Sequence, residues 1–346
     1  MREVAERAGV AMGTVSNFLN RPERLSPEKL LRVQKAVDEL GFVRNETARQ
    51  LRAGRSRVIG LVVLDAGNPF FAELAVAAED EAVASGHVVI QGNSKHDADR
   101  ERHYTELFAE LRVQGVMISP TGEMSEQLKR MKRQGTSVVL VDREGNPSEH
   151  CSVSVDDEAG GYMAAKHLLE EGRRSLAFMG GPFSIRQVSD RFHGASRAVS
   201  EYPDAAIEVL QTESLDVLSG RKAGLTLMKR SAQRRPDAIF AANDLVAVGA
   251  LQALVLEGNI SVPDEIALIG YDDIDFASAS IVPLSSVRQP AALLGRTAVQ
   301  MVLEESQLGH EHRHVVFQPE LIVRRSTSST ATEATTDAVS GISAVG

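Results

Sequence analysis

The sequence predicts an α plus α/β protein: a helix-turn-helix module at the N-terminus, followed by a two-lobed body of parallel α/β sheets. Three observations carry this reading. Residues 1–42 show short helical periods separated by glycine turns. From Val58 onward, strand-like and helix-like segments alternate. Charge divides near the same place: residues 1–57 carry 12 Lys+Arg and 7 Asp+Glu, a net of +5, and the remainder carries 26 and 40, a net of −14. A small basic segment on a large acidic body suggests a polyanion-binding module joined to something else.

With 346 residues the chain is too long for one ordinary core, and two or three domains are expected. Hydrophobic content of 43% and charged content of 25% are those of a globular protein. Cys151 is the single cysteine, which excludes a disulfide framework and a multi-cysteine metal site and fits a reducing compartment. The opening "MREVAERAGV" is charged and lacks the apolar core of a signal peptide. The longest apolar runs, such as "VIGLVVL" at 58–64, are strand-sized. A cytoplasmic protein is expected, with no cofactor and no metal.

The first helix is expected over Arg2 to Ala8, with Gly9 as its left-handed stop. The second runs from about Met12 to Asn20. The third begins at "SPEK", with Ser26 as cap and Pro27 at the first helical position, and ends at Gly41. Its apolar face reads Leu30, Val33, Val37 and Leu40. "VAERAGVAMGTVSNFLN" at 4–20 therefore has helix-turn-helix spacing. Val4, Ala5, Ala8, Val15, Phe18 and Leu19 are expected inward, and Thr14, Ser16 and Asn17 outward.

In the body, "VIGLVVL" is an unbroken apolar run, as a strand covered on both faces requires. "NPFF" opens a helix to about Ser85. "HVVIQG", "GVMIS", "SVVLVD", "SLAFMGG", "AIEVL", "DAIFAAND" and "IALIGYDD" are further strands with helices between them. Repeated β-α-β units imply parallel sheets with right-handed crossovers. Eight strands are too many for one small sheet, hence two lobes. The Ser/Thr/Ala-rich end, from about residue 328, is expected to be disordered.

Taken together, "REVAERAGV", "GTVSNFLN", "LSPEKLLRVQKAVDELGF" and "RNETARQLRAGRSRVIGLVV…NPFF" resemble the lactose/galactose-repressor (LacI-type) family of bacterial transcription regulators. The likeness continues more loosely to about residue 325 through "DRFHGA", "AANDLVAVGAL", "IGYDDIDFA" and "PLSSVRQP". It implies a DNA-binding headpiece over 1–43, a hinge helix and linker over 44–57, and a core like periplasmic sugar-binding proteins. The core would divide into an N-terminal lobe, 58–155 and 290–319, and a C-terminal lobe, 156–289 and 320–327. It further implies a DNA-binding regulator, a repressor by kind, whose operator affinity is switched by a small polar ligand between the lobes.

The resemblance also assigns residues. Met12, Gly13 and Asn17 fall at the family's base-reading positions, and Thr14 and Ser16 where hydroxyls meet phosphates. Five arginines in "RNETARQLRAGRSR" (44–57) match the hinge helix. Asn45 would cap it, Ala48 and Leu51 would lie one helical step apart, and Leu51 would wedge between base pairs in the minor groove. Arg49 and Arg52 suit phosphate contacts there. The chain departs from the pattern at Ala11-Met12, where members carry Ser-Pro; a lost Ser cap costs on the order of 1 kcal/mol. Met1 falls where the family is already inside helix 1, which implies that a short preceding stretch with the cap is missing. The tail has no leucine heptad of the kind that makes tetramers, so a homodimer on a near-palindromic operator is expected.

In two-lobed α/β proteins a ligand sits at the carboxyl ends of the strands, between the lobes. Phe70, Asn93, Asp142, Arg143, Gln187, Arg191, Asn243, Asp273 and Gln289 stand at such ends or on a crossover. By family position, Arg191 and Asp273 resemble the most regular effector contacts, both facing the cleft. Each residue has a plainer role available: Asn243 and Asp244 as helix caps, Phe70 or Phe71 as core, Arg191 as partner of Asp190 or Glu201. The groups match a polyhydroxylated ligand such as a sugar. There is no Trp, and Leu215 stands where several relatives place a stacking aromatic, which keeps a nucleoside, a pentose or a small sugar phosphate open.

Two rival functions stand beside this reading. An enzyme finds no support: G-x-G-x-x-G after a strand, G-x-x-x-x-G-K-[ST], G-x-S-x-G and H-E-x-x-H are all absent. "HEHRH" at 310–314 reads as a polar turn rather than a metal site. A sugar-binding protein without DNA regulation would not need residues 1–57.

Overall fold

In a computed structural model, the described residues are 1–42, 56–122, 126–146, 148–306 and 309–328. The chain forms two compact units, Met1–Ser56 and Arg57–Gly346. Asn45, Ala48, Arg49, Leu51 and Arg52, expected in the hinge, lie outside the described residues, as do residues 329–346 of the expected tail.

The first unit holds α1 (Arg2–Ala8), α2 (Met12–Asn20) and α3 (Pro27–Leu40). Gly9 ends α1 with φ 62° and Gly41 ends α3 with φ 54°. Ser26 caps α3 through the Lys29 N–H. Val4, Ala5, Ala8, Val15, Val33 and Ala36 form the core, with Phe18, Leu19 and Val37 against it. Leu40, expected on the apolar face of α3, is instead 44% exposed. Ala36 is small enough to let the helices meet closely and takes the inward place. Arg32 locks the turn: its Nη2 donates to the carbonyls of Ala8 at 2.7 Å and Gly9 at 3.0 Å.

The second unit begins with β1 (Val58–Val63), α4 (Pro69–Ala84), β2 (Val88–Asn93), α5 (Ala98–Glu110), β3 (Gly115–Ile118), α6 (Glu126–Arg133), β4 (Ser137–Val141) and β5 (Cys151–Val155). It continues with α7 (Asp157–Glu170), β6 (Ser175–Gly180), α8 (Arg186–Ser200), β7 (Ala206–Gln211), α9 (Val217–Met228), β8 (Ala238–Ala241), α10 (Asp244–Gln252) and β9 (Ala267–Asp272). The last elements are α11 (Asp275–Ser278), β10 (Ser285–Arg288), α12 (Ala291–Glu305), β11 (His314–Phe317) and β12 (Glu320–Ile322).

Two six-stranded sheets result, ordered β11-β5-β4-β3-β1-β2 and β12-β10-β9-β8-β6-β7. Every pairing is parallel except β10 with β12. The expected parallel α/β class is therefore observed. The chain crosses between the sheets after β5, after β10 and after β11. Helices α4 and α12 cover one face of the first sheet, with Leu74 and Ala78 meeting Leu294 and Ala298 in its core.

Four strands have no counterpart among the eight expected. In β5, Ser152 and Ser154 interrupt the apolar run, yet all five residues are buried. In β10, Ser285 and Ser286 are fully buried, bonded to Thr327 and Asp244. A buried hydroxyl is tolerated when a partner meets it, and these partners come from far along the chain. β11 and β12 are short edge strands with half-exposed residues. Among the described residues, no helix is long and apolar enough to cross a membrane.

Candidate functional site

A narrow cleft with an accessible volume of about 40 Å³, partly open to solvent, lies between the two sheets at the carboxyl ends of their strands. Loops after β1 and β4 supply Asp65, Asn68 and Asp142; β9 and the β10–α12 crossover supply Asp272 and Gln289; α8 supplies Gln187 and Arg191. Phe70, Phe71, Ile185 and Leu215 give it an apolar wall.

Arg191 is the centre of the polar network. Its Nε donates to Asp157 Oδ1 at 2.7 Å and its Nη1 to the Ala242 carbonyl at 2.7 Å. Asp272 Oδ1 is 3.8 Å from Nη1, and the guanidinium lies 3.7 Å over the Tyr271 ring. The residue can sit there because α7 and α8 cross in close contact. A Cβ at Gly161 would strike the Arg191 carbonyl, and one at Gly194 the Glu158 carbonyl.

Two bridges join the sheets directly. Asn68 Nδ2 donates to Asp272 Oδ2 at 2.9 Å. Gln187 Nε2 donates to Asp142 Oδ2 at 2.8 Å and to the Asp142 carbonyl at 2.7 Å. Gln289 Nε2 holds Asp272 Oδ1 at 2.7 Å. Two buried atoms at this cleft have no partner: Asp142 Oδ1 and Gln289 Oε1. Asp142 and Asp272 also hold left-handed backbone, φ 56° and 103°, a conformation that costs energy for residues other than glycine and recurs at ligand clamps.

One cation faces three buried carboxylates. Burial pushes Asp142 well above the ordinary carboxylate range; the Asp157 charge adds to this and Arg191 opposes it. Burial likewise raises Asp157 and Asp272, against the pull of Arg191. For Arg191, burial works against the charge, but Asp157, Tyr271, Asp272 and Asp142 outweigh it and its pKa stands raised. His96 at the rim is lowered by burial, opposed by Asp65.

Of the residues expected in the cleft, Phe70, Asp142, Gln187, Arg191, Asn243 and Gln289 line it. Asn243 also caps α10, its Oδ1 accepting from the Val246 N–H while its Nδ2 donates to the Leu215 carbonyl. Three do not line it. Asp273 was expected to face the cleft, but it turns to Arg324 at 2.6 Å and Arg288 at 2.8 Å; the last residue of β9, Asp272, takes the cleft position. Asn93 instead holds the Lys95 N–H at 3.1 Å. Arg143 donates to the Gly122 carbonyl at 2.8 Å and lines an adjoining cleft. Arg191 pairs with neither Asp190, which binds Arg186, nor Glu201, which binds Lys166. Arg191 lines the cleft while its Nε and Nη1 bond to Asp157 and the Ala242 carbonyl, so it also fixes Asp157 beside Asp272.

Asn68 and Asp157 were not among the residues expected at the cleft. Both read as helix-start residues, before "PFF" and in "DDEAGG", and only the crossing of the chain brings them to Asp272 and Arg191.

In the first unit, Met12 and Gly13 at the start of α2 are exposed, and Thr14, Ser16 and Asn17 are half-buried beside the inward Val15. Ala11 caps α2 with backbone only. Its first amides therefore have no side-chain acceptor, which suits an anionic phosphate.

Residues 1–45 match the family described as bacterial regulatory proteins, lacI family, and residues 165–327 match the periplasmic binding protein-like domain. The chain is 31% identical over 334 residues to the HTH-type transcriptional repressor PurR of Aliivibrio salmonicida (strain LFI1238), covering 94% of this chain and 98% of that one. Among solved structures, the cellobiose complex of the transcriptional regulator CelR aligns at 27% identity and TM-score 0.69, over 94% of this chain and 98% of that one. The LacI family transcriptional regulator from Enterococcus faecium with bound ribose aligns at 26% identity and TM-score 0.72, over 78% and 98%. With the two-sheet architecture, the N-terminal helices and this length of shared sequence, the chain belongs to the lacI family of bacterial regulatory proteins.

Proposed function

We propose that this regulator binds a near-palindromic operator as a homodimer, and that a neutral, hydroxyl-rich molecule switches its affinity by binding between the two sheets. The observation that carries the ligand class is the pair of unpartnered acceptors at the cleft, Asp142 Oδ1 and Gln289 Oε1. A ligand hydroxyl both donates and accepts, so it serves Asp142 whether ionised or protonated. A phosphate would bring its charge into a buried cleft whose one guanidinium is already paired with Asp157. Phe70 and Phe71, 5.0 Å apart edge to face, supply an apolar wall for a ring. Ribose and cellobiose in the related structures fit the same chemistry.

On the DNA side, Met12, Gly13 and Asn17 read bases and Thr14 and Ser16 meet phosphates. The 44–57 segment supplies the hinge, with Asn45, Ala48, Arg49, Leu51 and Arg52 in the roles given above. A ligand shifts the switch only by its differential affinity for two lobe arrangements. The Asn68–Asp272 and Gln187–Asp142 bridges are the contacts it would exchange for its own.

The test is a thermal-shift screen of pentoses, hexoses, their phosphates and nucleosides, followed by operator titration with and without the best ligand. A neutral sugar is expected to raise the melting temperature and change operator affinity. Tighter binding of a sugar phosphate than of its parent sugar would overturn the ligand class.

A further inference from the structure

Cys151, His310 and His312 converge at the amino-terminal ends of β5 and β11, the opposite end of the strands from the cleft. Cys151 Sγ is 3.0 Å from His310 Nε2 and 3.7 Å from His312 Nδ1. All three donor atoms lie within 4.8 Å of one another. We propose that these three side chains form a Zn²⁺ site.

The distances suit the ion. Zinc bonds of about 2.3 Å to sulfur and about 2.1 Å to nitrogen, at tetrahedral angles, put sulfur and nitrogen about 3.5 Å apart. The donors suit it as well, since a thiolate with two imidazoles favours a borderline-soft cation over Mg²⁺ or Ca²⁺. His310 and His312 are alternate residues of the chain leading into β11, so both rings can reach the same side and the same sulfur. Cys151 is fully buried and the two imidazoles are half-buried, which leaves a route for the ion from solvent. On binding, the Cys151 thiol loses its proton to solvent and the metal–sulfur bond forms in its place. Three protein donors leave one tetrahedral position for water.

The surrounding charges are mixed. Glu305 Oε1 is 3.6 Å from His312 Nδ1, and its other oxygen accepts from the Val138 N–H at 3.0 Å, which fixes the carboxylate beside the site. Lys132 Nζ opposes a cation: it lies 3.1 Å from His312 Nε2 and 3.2 Å from His150 Nδ1. Ligation through Nδ1 puts the His312 proton on Nε2, so Lys132 gives up that contact and keeps the one to His150. The lysine stem is flexible enough to do so.

The experiment uses the full chain, freed of metal with a chelator and titrated with Co²⁺ as an optical probe, then with Zn²⁺ in competition. One equivalent per chain, a sulfur-to-cobalt charge-transfer absorption and its displacement by Zn²⁺ are expected. Cys151→Ser should abolish the absorption. His310→Gln should weaken Zn²⁺ binding by more than about 10-fold while circular dichroism stays unchanged, since even partners outside a zinc coordination shell are worth about 10–100-fold. A parent protein without the charge-transfer absorption overturns the site, as does undiminished Zn²⁺ affinity in either variant.

Discussion

Asp272 and Asp273 are neighbours, and both have left-handed backbone, φ 103° and 56°. Asp272 faces the cleft, held by Asn68 and Gln289, while Asp273 is buried between Arg288 and Arg324. Their substitutions should therefore separate. Asp272→Ala is expected to abolish effector binding by removing the group that aligns Arg191, Asn68 and Gln289. Asp273→Ala should keep effector binding and lose on the order of 2 kcal/mol of stability, less than the 3–5 of a fully buried pair because both guanidiniums reach solvent. Calorimetry with the identified ligand and urea melts decide it; lost binding in Asp273→Ala with intact stability would reverse the assignment. Asp244 offers a pH test. It is fully buried, accepting from Ser286 Oγ and the Ile274 N–H, and burial, followed by the Asp272 charge, holds its pKa well above 3.8. A folded pKa above the unfolded one means stability that is present below the unfolded pKa and is lost as pH rises through the folded pKa. Asp244→Asn can still donate to Ser286 and accept from Ile274. Its unfolding free energy is expected to vary less with pH from about 4 toward neutrality. A steeper slope than the parent's would contradict it.

At the scale of elements, the α7–α8 crossing positions the cleft. Gly161 and Gly194 each meet the backbone of the other helix, so neither helix can gain a side-chain atom there without moving. Arg191 rides on α8 and Asp157 on α7, so a separation of the helices stretches their 2.7 Å bond. Gly194→Ala should cost about 1–3 kcal/mol in urea unfolding, as overpacked sites do, and weaken effector binding in the same variant. Parent-like values in both measurements would remove the crossing from the account. In the first unit, the Arg32 bonds to the Ala8 and Gly9 carbonyls do comparable work, tying α3 to the turn that sets α2.

At the scale of the whole molecule, charge is the property that predicts behaviour. A net of +5 over residues 1–57 on a body of −14 places the attraction for DNA in one small part of the chain. Operator affinity is expected to fall by roughly 10³–10⁵ between 50 and 200 mM salt if about 6–10 phosphates are contacted. Removing residues 1–57 should abolish retention on DNA and leave effector binding intact. Salt-independent binding by the full chain, or retention by the truncated one, would sink the electrostatic reading.

The sequence by itself determined what depends on local pattern. Helix spans in 2–40 follow from period, Ser26, Pro27 and the two stopping glycines, all of them signals within a few residues. The parallel α/β class follows from unbroken apolar runs such as 58–64, because a strand covered on both faces admits no polar alternation. Six of nine residues expected in the cleft also line it, since strand carboxyl ends are set by the same local pattern. What only the tertiary structure decided depends on groups distant in sequence. Ser152 of β5 and the buried serines of β10 look polar until His314, Thr327 and Asp244 arrive to bond them. Asn68 looks like an ordinary helix start until the crossovers set the two sheets together and bring it against Asp272, and Asp157 does so until α7 packs on α8 against Arg191. "HEHRH" looks like a turn until β11 pairs with β5 and brings two imidazoles to Cys151. The choice between Asp272 and Asp273 is of the same kind: two identical side chains on successive residues point to opposite partners, and only the folded neighbours, Arg288 and Arg324 on one side and Asn68 and Gln289 on the other, tell them apart.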